Sequence, residues 1–450
     1  MLRSINPFTG KLIQDYTETS NIEEKVRLSN KAFKLWKYNK DKAQLMQNAA
    51  DILEDRAEEL AQLMTLEMGK PISEGIAEAK KCAWVCRYYA DNAGSFLKPK
   101  YIETDATESF LSYQPLGVIL AVMPWNFPFW QVFRFAAPTL MAGNVGILKH
   151  SSNVSGCSLA IEQIFLEAGF PENVFTSLLI KSDKVASVIE NPLVRAVTLT
   201  GSNFAGESVA EVAGRNIKKC VLELGGNDPY IILKDADVDL AVEKCLASKI
   251  INSGQSCIAM KRIIVQKQIA EKFIKKFTTA YSSIEFDDPL KTATKLGPMA
   301  TIALRDELHK QVMDSVKLGA ELLCGGFIPE NPGAFYPATI LTNVTKGMPA
   351  YNEELFGPVA SIIIVESEEE AINIANDSDF GLGTAVFTGN IPKGKRIAEF
   401  ELQAGCCSVN DFVRSDPRLP FGGIKQSGYG RELGEAGIKE FVNEKTVYIK

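Results

Sequence analysis

The fold is indicated most clearly by residues 197–206, which begin Val197-Thr198-Leu199-Thr200-Gly201 and run on to Gly206. The first four residues favour a short strand, and the glycines with Ser202 favour a tight turn that opens a helix. Such a turn lets the backbone approach a phosphate group, although turns of this kind are common in α/β proteins. The stretch therefore predicts one strand-turn-helix unit of a parallel sheet.

The same alternation extends along most of the chain. Residues 22–69 and 155–168 have the spacing of amphipathic helices, and short apolar runs at 118–122, 145–148, 229–233, 263–265, 361–365 and 385–387 predict strands. This rhythm is typical of parallel α/β sheets with crossover helices, so two α/β domains are expected. Two outlying β-rich segments, 108–113 and 446–449, have no helix beside them and are expected to pair at a sheet edge between subunits.

Composition excludes several classes of function. The 450 residues carry a formal net charge of −6, with 46% hydrophobic and 23% charged residues, which is typical of a globular protein and argues against binding to nucleic acid. No uninterrupted apolar run is long enough to span a membrane, and no signal peptide is expected. Nine scattered cysteines argue against a disulfide framework and favour the cytoplasm.

Histidine is scarce, which restricts the mechanism. Only His150 and His309 are present, and neither lies in a motif, so both are expected to be ordinary, partly exposed side chains. No metal site is expected, and no G-x-G-x-x-G fingerprint follows an early strand.

Three polar residues are candidates for catalysis. Cys257 lies in a polar, glycine-containing turn, although most lone cysteines are small buried hydrophobes. Glu223 lies inside an apolar run, where burial would raise its pKa toward that of a useful base, although structural ion pairs give the same pattern. Asn126 lies between prolines and aromatics, which would fix its amide as an oxyanion donor or simply form a packed turn.

Together these residues and their neighbours resemble the aldehyde dehydrogenase superfamily. The resemblance runs from Asn6-Pro7-Phe8-Thr9-Gly10 to residues 420–428, and it is closest to the shorter bacterial succinate semialdehyde dehydrogenases. It implies an α/β fold with a Rossmann-type NAD(P)-binding domain (1–98 and 118–223), an α/β catalytic domain (224–430) and a small β oligomerisation arm (99–117 and 431–450). A homodimer or homotetramer is expected.

The resemblance also implies a mechanism and a cofactor site. The Cys257 thiolate would add to the aldehyde, Asn126 would hold the oxyanion, and Glu223 would activate the water that hydrolyses the thioester. The residues implied to bind the cofactor are Trp125, Lys149, Ser152, Gly201, Ser202, Leu224, Glu354 and Phe356.

Residues 150–152 read His-Ser-Ser, where the commoner family pattern has Pro-x-Glu. A glutamate at 152 would repel a 2′-phosphate, whereas a neutral Ser152 beside Lys149 tolerates one. We therefore expect NADP to be accepted, along with NAD.

Arg134 and Ser415 resemble positions that bind the distal carboxylate of the substrate in succinate semialdehyde dehydrogenases, and a guanidinium suits a carboxylate. The family's other basic position is Ile251 here, for which Lys249 is a possible substitute. Succinate semialdehyde is therefore the expected substrate, with a broad-specificity aldehyde dehydrogenase as the alternative. A thiol esterase, or an inactive protein on the same fold, are alternatives from other classes.

Overall fold

The computed structural model describes all 450 residues and contains 20 strands and 15 α-helices. Numbered in chain order, the strands are β1 (Leu2–Ile5), β2 (Leu12–Tyr16), β3 (Lys100–Tyr101), β4 (Glu108–Pro115), β5 (Val118–Met123), β6 (Val145–His150), β7 (Phe175–Ser177), β8 (Val194–Thr200), β9 (Lys219–Glu223), β10 (Pro229–Ile232), β11 (Arg262–Gln266), β12 (Glu321–Cys324), β13 (Thr339–Thr342), β14 (Val359–Val365), β15 (Phe380–Gly381), β16 (Gly383–Phe387), β17 (Cys406–Val409), β18 (Ile424–Lys425), β19 (Gly428–Tyr429) and β20 (Val442–Ile449).

The helices are α1 (Ile22–Trp36), α2 (Lys42–Asp55), α3 (Ala57–Met68), α4 (Ile72–Phe96), α5 (Trp130–Met141), α6 (Ser155–Glu167), α7 (Val185–Glu190), α8 (Asn203–Arg215), α9 (Val238–Ile250), α10 (Lys267–Ser282), α11 (Ile302–Lys317), α12 (Pro349–Asn352), α13 (Glu368–Asn376), α14 (Ile391–Arg396) and α15 (Gly434–Lys439). None of them is both long enough and apolar enough to cross a membrane.

The first sheet has six strands in the order β19-β9-β8-β5-β6-β7, and all but β19 are parallel. Its central strand β5 is buried along almost its whole length, as expected for a sheet that helices cover on both faces. Strand β19 joins this sheet, although residues 428–429 fall within the range expected for the catalytic domain. After β18 the chain runs back beside β9 in the antiparallel direction, and this pairing places β19 in the first sheet.

The second sheet has seven strands in the order β12-β13-β14-β11-β10-β16-β17, and only β12 is antiparallel to its neighbour. Two separate clusters of buried apolar side chains lie on this sheet. The α/β fold class with two parallel sheets is thereby confirmed.

The two outlying segments pair with each other in a third sheet. Strand β4 lies between β20 and β3, and β4 and β20 are antiparallel from the Val442–Pro115 pair to the Ile449–Glu108 pair. Each of the two segments is therefore a strand, as the sequence predicts. Tyr101, Tyr448 and Ile449 are exposed on this sheet.

Candidate active site

The carboxyl ends of four adjacent parallel strands supply many of the site residues predicted from the sequence. Trp125 and Asn126 follow β5, Lys149 and Ser152 lie at or after the end of β6, Gly201 and Ser202 follow β8, and Leu224 follows β9. In parallel sheets this edge is where ligands bind, because the turns there present backbone N–H groups and helix N-termini. Ser202 caps helix α8, since its Oγ accepts a hydrogen bond from the Ala205 N–H at 3.3 Å.

Cys257 follows a turn with an unusual backbone. Asn252, Ser253 and Gly254 all have positive φ, at 51°, 54° and 75°, and such strain in non-glycine residues is typical of functional sites. Glu74 of α4 holds the turn by accepting a hydrogen bond from the Asn252 N–H at 2.6 Å. A side chain at position 254 would collide with the carbonyl of Gly357, so this turn packs backbone against backbone on the loop that carries Glu354.

Asn126 is fixed by the same turn. Its carbonyl oxygen accepts a hydrogen bond from Asn252 Nδ2 at 2.7 Å, and its own Nδ2 donates to the Gln255 carbonyl at 3.2 Å. An amide nitrogen carries two hydrogens, so one N–H of Asn126 remains available to an oxyanion. Asn126 and Cys257 line the same cavity.

This first cavity, of about 280 Å³, brings together most of the predicted cofactor residues. Those that line it are Trp125, Gly201, Ser202, Leu224, Glu354 and Phe356. Trp125 and Phe356 meet edge to face at 5.8 Å between ring centroids. A Cβ on Gly225 would lie 2.5 Å from Glu354 Oε2, so glycine is needed there for Glu354 to sit in the cavity.

Lys149 and Ser152 do not line this cavity. Lys149 is buried at the end of β6, where burial lowers the pKa of its ammonium group, and Ser152 begins a short 3₁₀ turn. Both lie on the same sheet edge as Gly201, separated from β8 by β5. That position suits the part of a dinucleotide farther from the reacting ring.

A second cavity, of about 720 Å³, also reaches Cys257. Its wall includes the predicted substrate residues Arg134 and Ser415, together with Lys81, Trp130 and Phe421. Cys257 and Gln131 are the residues shared by the two cavities. A nucleophile at the junction of two cavities can face one ligand in each.

The surroundings of the Cys257 thiol disfavour its ionisation. Burial raises its pKa to about 12, against the opposing positive charges of Lys261 and Arg134. Lys261 Nζ bonds to the Cys257 carbonyl oxygen, and it also contacts Glu354 Oε1 at 3.1 Å. Burial thus disfavours the thiolate form of Cys257, and attack on a carbonyl would require the thiol proton to leave.

The carboxylate of Glu223 is not brought to Cys257. Glu223 lines neither cavity, both its oxygens lack a hydrogen-bond partner, and Oε1 lies 2.7 Å from where a Cβ on Gly422 would be. Burial and the nearby charge of Glu432 raise its pKa well above the usual value. The expected burial and high pKa are present, but the side chain lies outside both of the cavities that Cys257 lines.

Two expectations about basic residues are wrong. Lys249 is fully buried at the end of α9 and lines neither cavity, and its Nζ has no hydrogen-bond partner. It does not replace the basic group absent at Ile251, which does line the second cavity. His150 is buried rather than partly exposed, with hydrogen-bond contacts to the Pro128 and Met123 carbonyls, and burial lowers its pKa to about 4.

Three residues near the site were not identified from the sequence: Lys81, Lys261 and Glu432. Lys81 lies on a long helix rich in charges, and Glu432 lies within the predicted oligomerisation arm. Neither has a local signal that separates it from surface charges. Lys261 lies four residues after Cys257, and this short separation is a sequence signal that places a positive charge near the thiol.

A parallel sheet edge with the predicted cofactor residues, and a cysteine at the junction of two cavities, form the arrangement expected of a dehydrogenase. The aldehyde dehydrogenase family model matches residues 1–447, and the chain belongs to this family. A probable succinate-semialdehyde dehydrogenase (NADP+) from Synechocystis is 50% identical over all of this chain and 99% of its own length. The succinate-semialdehyde dehydrogenase (NADP+) of Mycobacterium avium is 46% identical over 100% of this chain and 96% of its own length.

The similarity in fold also extends over the whole chain. The crystal structure of succinic semialdehyde dehydrogenase from Streptococcus pyogenes, in complex with NADP+, superposes with a TM-score of 0.97 at 38% identity and covers both chains fully. The aldehyde-dehydrogenase-like architecture expected from the sequence is therefore confirmed.

Proposed function

We propose that this protein oxidises succinate semialdehyde to succinate with NADP+. The observation that carries the proposal is the position of Cys257, which lines both the cavity of the predicted cofactor residues and a second cavity that contains Arg134 and Ser415. Relatives that share 44–50% of their residues with this chain over its full length are named succinate-semialdehyde dehydrogenases (NADP+). The basic groups of the second cavity and the similarity to these relatives both favour an aldehyde that carries a carboxylate.

The residues of the first cavity fit a dinucleotide. Gly201 and the N-terminus of α8 present a turn without side-chain obstruction to a pyrophosphate, and Glu354 offers carboxylate oxygens to ribose hydroxyls. Trp125 and Phe356 add an aromatic wall. NADP+ bound there would supply the hydride acceptor of the reaction.

The chemical steps follow from the protein's own groups. The Cys257 thiol gives up its proton to water and Sγ adds to the aldehyde carbon, which forms a thiohemiacetal, while Asn126 Nδ2 donates a hydrogen bond to the oxygen that becomes negative. Loss of hydride from this carbon leaves a thioester on Cys257. Glu223 then takes a proton from water, the hydroxyl adds to the thioester carbon, and the carbon–sulfur bond breaks to release the acid.

Glu223 acts in this scheme after its side chain has turned from Gly422 toward the thioester. Its high pKa and unpartnered oxygens leave no strong contact that would hold it in the buried position. Asn126 and Cys257, by contrast, are already in place through the turn at residues 252–254.

We also propose that NADP+ is preferred because Ser152 leaves room, and no negative charge, beside Lys149 for a 2′-phosphate. The oligomeric state proposed is a homodimer or homotetramer assembled through the sheet of β3, β4 and β20, whose edges remain unpaired within one chain. Nine cysteines free of disulfides support a cytoplasmic location.

The experiment is a panel of aldehydes of rising chain length, with and without a terminal carboxylate, each assayed with NAD+ and NADP+ at 340 nm. Succinate semialdehyde with NADP+ is expected to have the highest kcat/KM. Equal values for butyraldehyde would favour a broad-specificity enzyme. Ester hydrolysis without any rise at 340 nm would favour the thiol esterase.

A further inference from the structure

The second cavity contains one cationic side chain that is not neutralised by a carboxylate. The charged residues that line it are Glu74, Glu78, Lys81, Arg134, Arg414, Asp416 and Arg418. Arg134 pairs with Glu432, Arg414 with Asp411, and Arg418 with Asp416. Lys81 forms no ion pair.

The carboxylates nearest to Lys81 are already committed to other cations. Glu78, one turn earlier on α4, pairs with Lys70 and also accepts hydrogen bonds at 2.9 Å from the Phe129 and Trp130 N–H groups. Asp416 pairs with Arg418 at 2.7 Å. The positive charge of Lys81 is thus available to a negatively charged ligand.

The contacts of Lys81 place its ammonium group beside a second donor. Lys81 Nζ donates a hydrogen bond to Ser415 Oγ at 2.9 Å, and Trp130 Nε1 donates to the same oxygen at 3.1 Å. A hydroxyl oxygen has two lone pairs, so both are occupied and the Ser415 O–H has to point elsewhere. No other partner for this O–H is present, and Ser415 lines the cavity.

This arrangement leaves two hydrogen-bond donors free to bind one anion. An ammonium group carries three N–H bonds, and Lys81 uses one of them on Ser415. Its Nζ also lies over the Trp130 ring, 4.1 Å from the ring centroid, and this cation–π contact helps to fix its position. The Lys81 ammonium and the Ser415 hydroxyl together match the two oxygens of a carboxylate.

Resting on the proposed function, we infer that Lys81 is the principal charge that selects an aldehyde with a distal carboxylate, and that Ser415 is its partner. Arg134 lines the same cavity, but its ion pair with Glu432 reduces the charge that it can offer to substrate. Lys81 therefore takes the role of the basic group that is absent at Ile251.

Recognition by Lys81 has a pH signature. Burial, and then the positive charge of Arg134, lower the pKa of Lys81 to about 8, while Cys82, Glu78 and Asp416 oppose the shift. The substrate carboxylate is ionised throughout this range. The preference for a carboxylated aldehyde should therefore be nearly complete at about pH 7, about half lost near pH 8, and lost as Lys81 gives up its proton at higher pH.

The experiment compares Lys81→Met with wild type on succinate semialdehyde and on butyraldehyde, which has the same chain length without the charge. We expect kcat/KM for succinate semialdehyde to fall about 30-fold, equivalent to about 2 kcal/mol, while the value for butyraldehyde stays within about threefold. Retained butyraldehyde activity also shows that the variant is folded. Lys80→Met is the matched control, because Lys80 is the exposed neighbour on the same helix, and it should change neither value.

The ratio of the two kcat/KM values, measured from pH 6 to 10, supplies the second readout. It should fall between about pH 7 and 9 in wild type, centred near pH 8, and be low and flat in Lys81→Met. Using the ratio cancels the ionisation of Cys257, which affects both aldehydes equally. An equal loss on both aldehydes in Lys81→Met, or no loss on either, would overturn the role of Lys81.

The proposed substrate and the role of Lys81 can fail separately. A wild-type preference for a longer carboxylated aldehyde would overturn succinate semialdehyde as substrate, and Lys81→Met would then be scored on the preferred aldehyde. A wild type without preference for any carboxylated aldehyde would overturn both.

Discussion

Arg134 and Glu432 form an ion pair in which the two side chains are only 2% and 6% exposed. Thr200 Oγ1, at 3.5 Å from Arg134 Nη2, is the other polar contact of the guanidinium, and Phe421 packs against it at 4.8 Å. The pair links α5 to the segment just before α15. Removal of either side chain would leave the other charge buried without its partner.

Arg134→Ala should destabilise the protein strongly, since a buried carboxylate left without its partner typically costs about 3–5 kcal/mol. The measurement is the midpoint of thermal unfolding at pH 7. Arg215→Ala is the control, because Arg215 and its partner Glu211 are 72% and 60% exposed and such pairs contribute about 0–1 kcal/mol. Similar unfolding midpoints for the two variants would contradict the stabilising role of Arg134.

Cys257→Ala should abolish NADPH formation, because no other nucleophile lies at the junction of the two cavities. The loss in kcat should exceed about 1,000-fold, as for other removed nucleophiles, while tryptophan fluorescence still reports NADP+ binding. Cys407→Ala removes an exposed thiol and should leave kcat unchanged. Activity that survives in Cys257→Ala would rule out the covalent mechanism.

Inactivation of the free enzyme by iodoacetamide should be slow at pH 7 and accelerate with rising pH. Because burial raises the pKa of Cys257 to about 12, the thiolate fraction grows about tenfold for each pH unit below that value. Lys261→Met removes a positive charge that lowers this pKa, so alkylation should become slower still. A rate that is already constant above pH 8 would show that Cys257 is ionised in the free enzyme.

Glu223→Gln should allow the first hydride transfer and block hydrolysis of the thioester. A stopped-flow trace at 340 nm is expected to show a burst of about one NADPH per active site, followed by turnover reduced at least about 100-fold. In wild type the base form of Glu223 is favoured by rising pH, since its pKa is raised, so hydrolysis should slow as the pH falls. A variant without a burst would indicate that Glu223 acts before hydride transfer.

Ser152→Glu should reverse the choice of cofactor. A carboxylate at this position repels the 2′-phosphate of NADP+ and accepts a hydrogen bond from the 2′-hydroxyl of NAD+. We expect the kcat/KM ratio of NADP+ to NAD+ to fall by about 100-fold, or about 2.7 kcal/mol. Ser152→Ala carries no charge and should keep the wild-type preference, and equal ratios in the two variants would remove Ser152 from the 2′-phosphate site.

Much of the fold could be predicted from the sequence, because its strands are short apolar runs closed by glycine or proline. Strand β8 ends at Thr200, immediately before the Gly201 turn, and helix α6 ends one residue before its predicted end at Ala168. The pairing of β19 with β9 was not predictable, since a two-residue strand has no periodicity. Local pattern thus predicts elements, whereas long-range pairing depends on packing.

The residues of the candidate site also fall into those that a local motif predicts and those that depend on packing. Cys257, Asn126 and Glu354 lie in recognisable motifs, and the structure brings all three to one cavity. Lys81 and Glu432 were missed because their roles depend on which neighbours are already paired. Lys249 misled for a different reason, since it lies outside the cavity that Ile251 lines.

The separation of the two cavities at Cys257 has a kinetic consequence. Each ligand has its own route to the sulfur, so the departure of one product need not wait for the other. In the proposed mechanism, reduced cofactor could then leave while the acyl group is still attached to Cys257, and the order of release would depend on the escape rates of the two products. Small molecules designed for either route should accordingly be able to occupy the enzyme simultaneously.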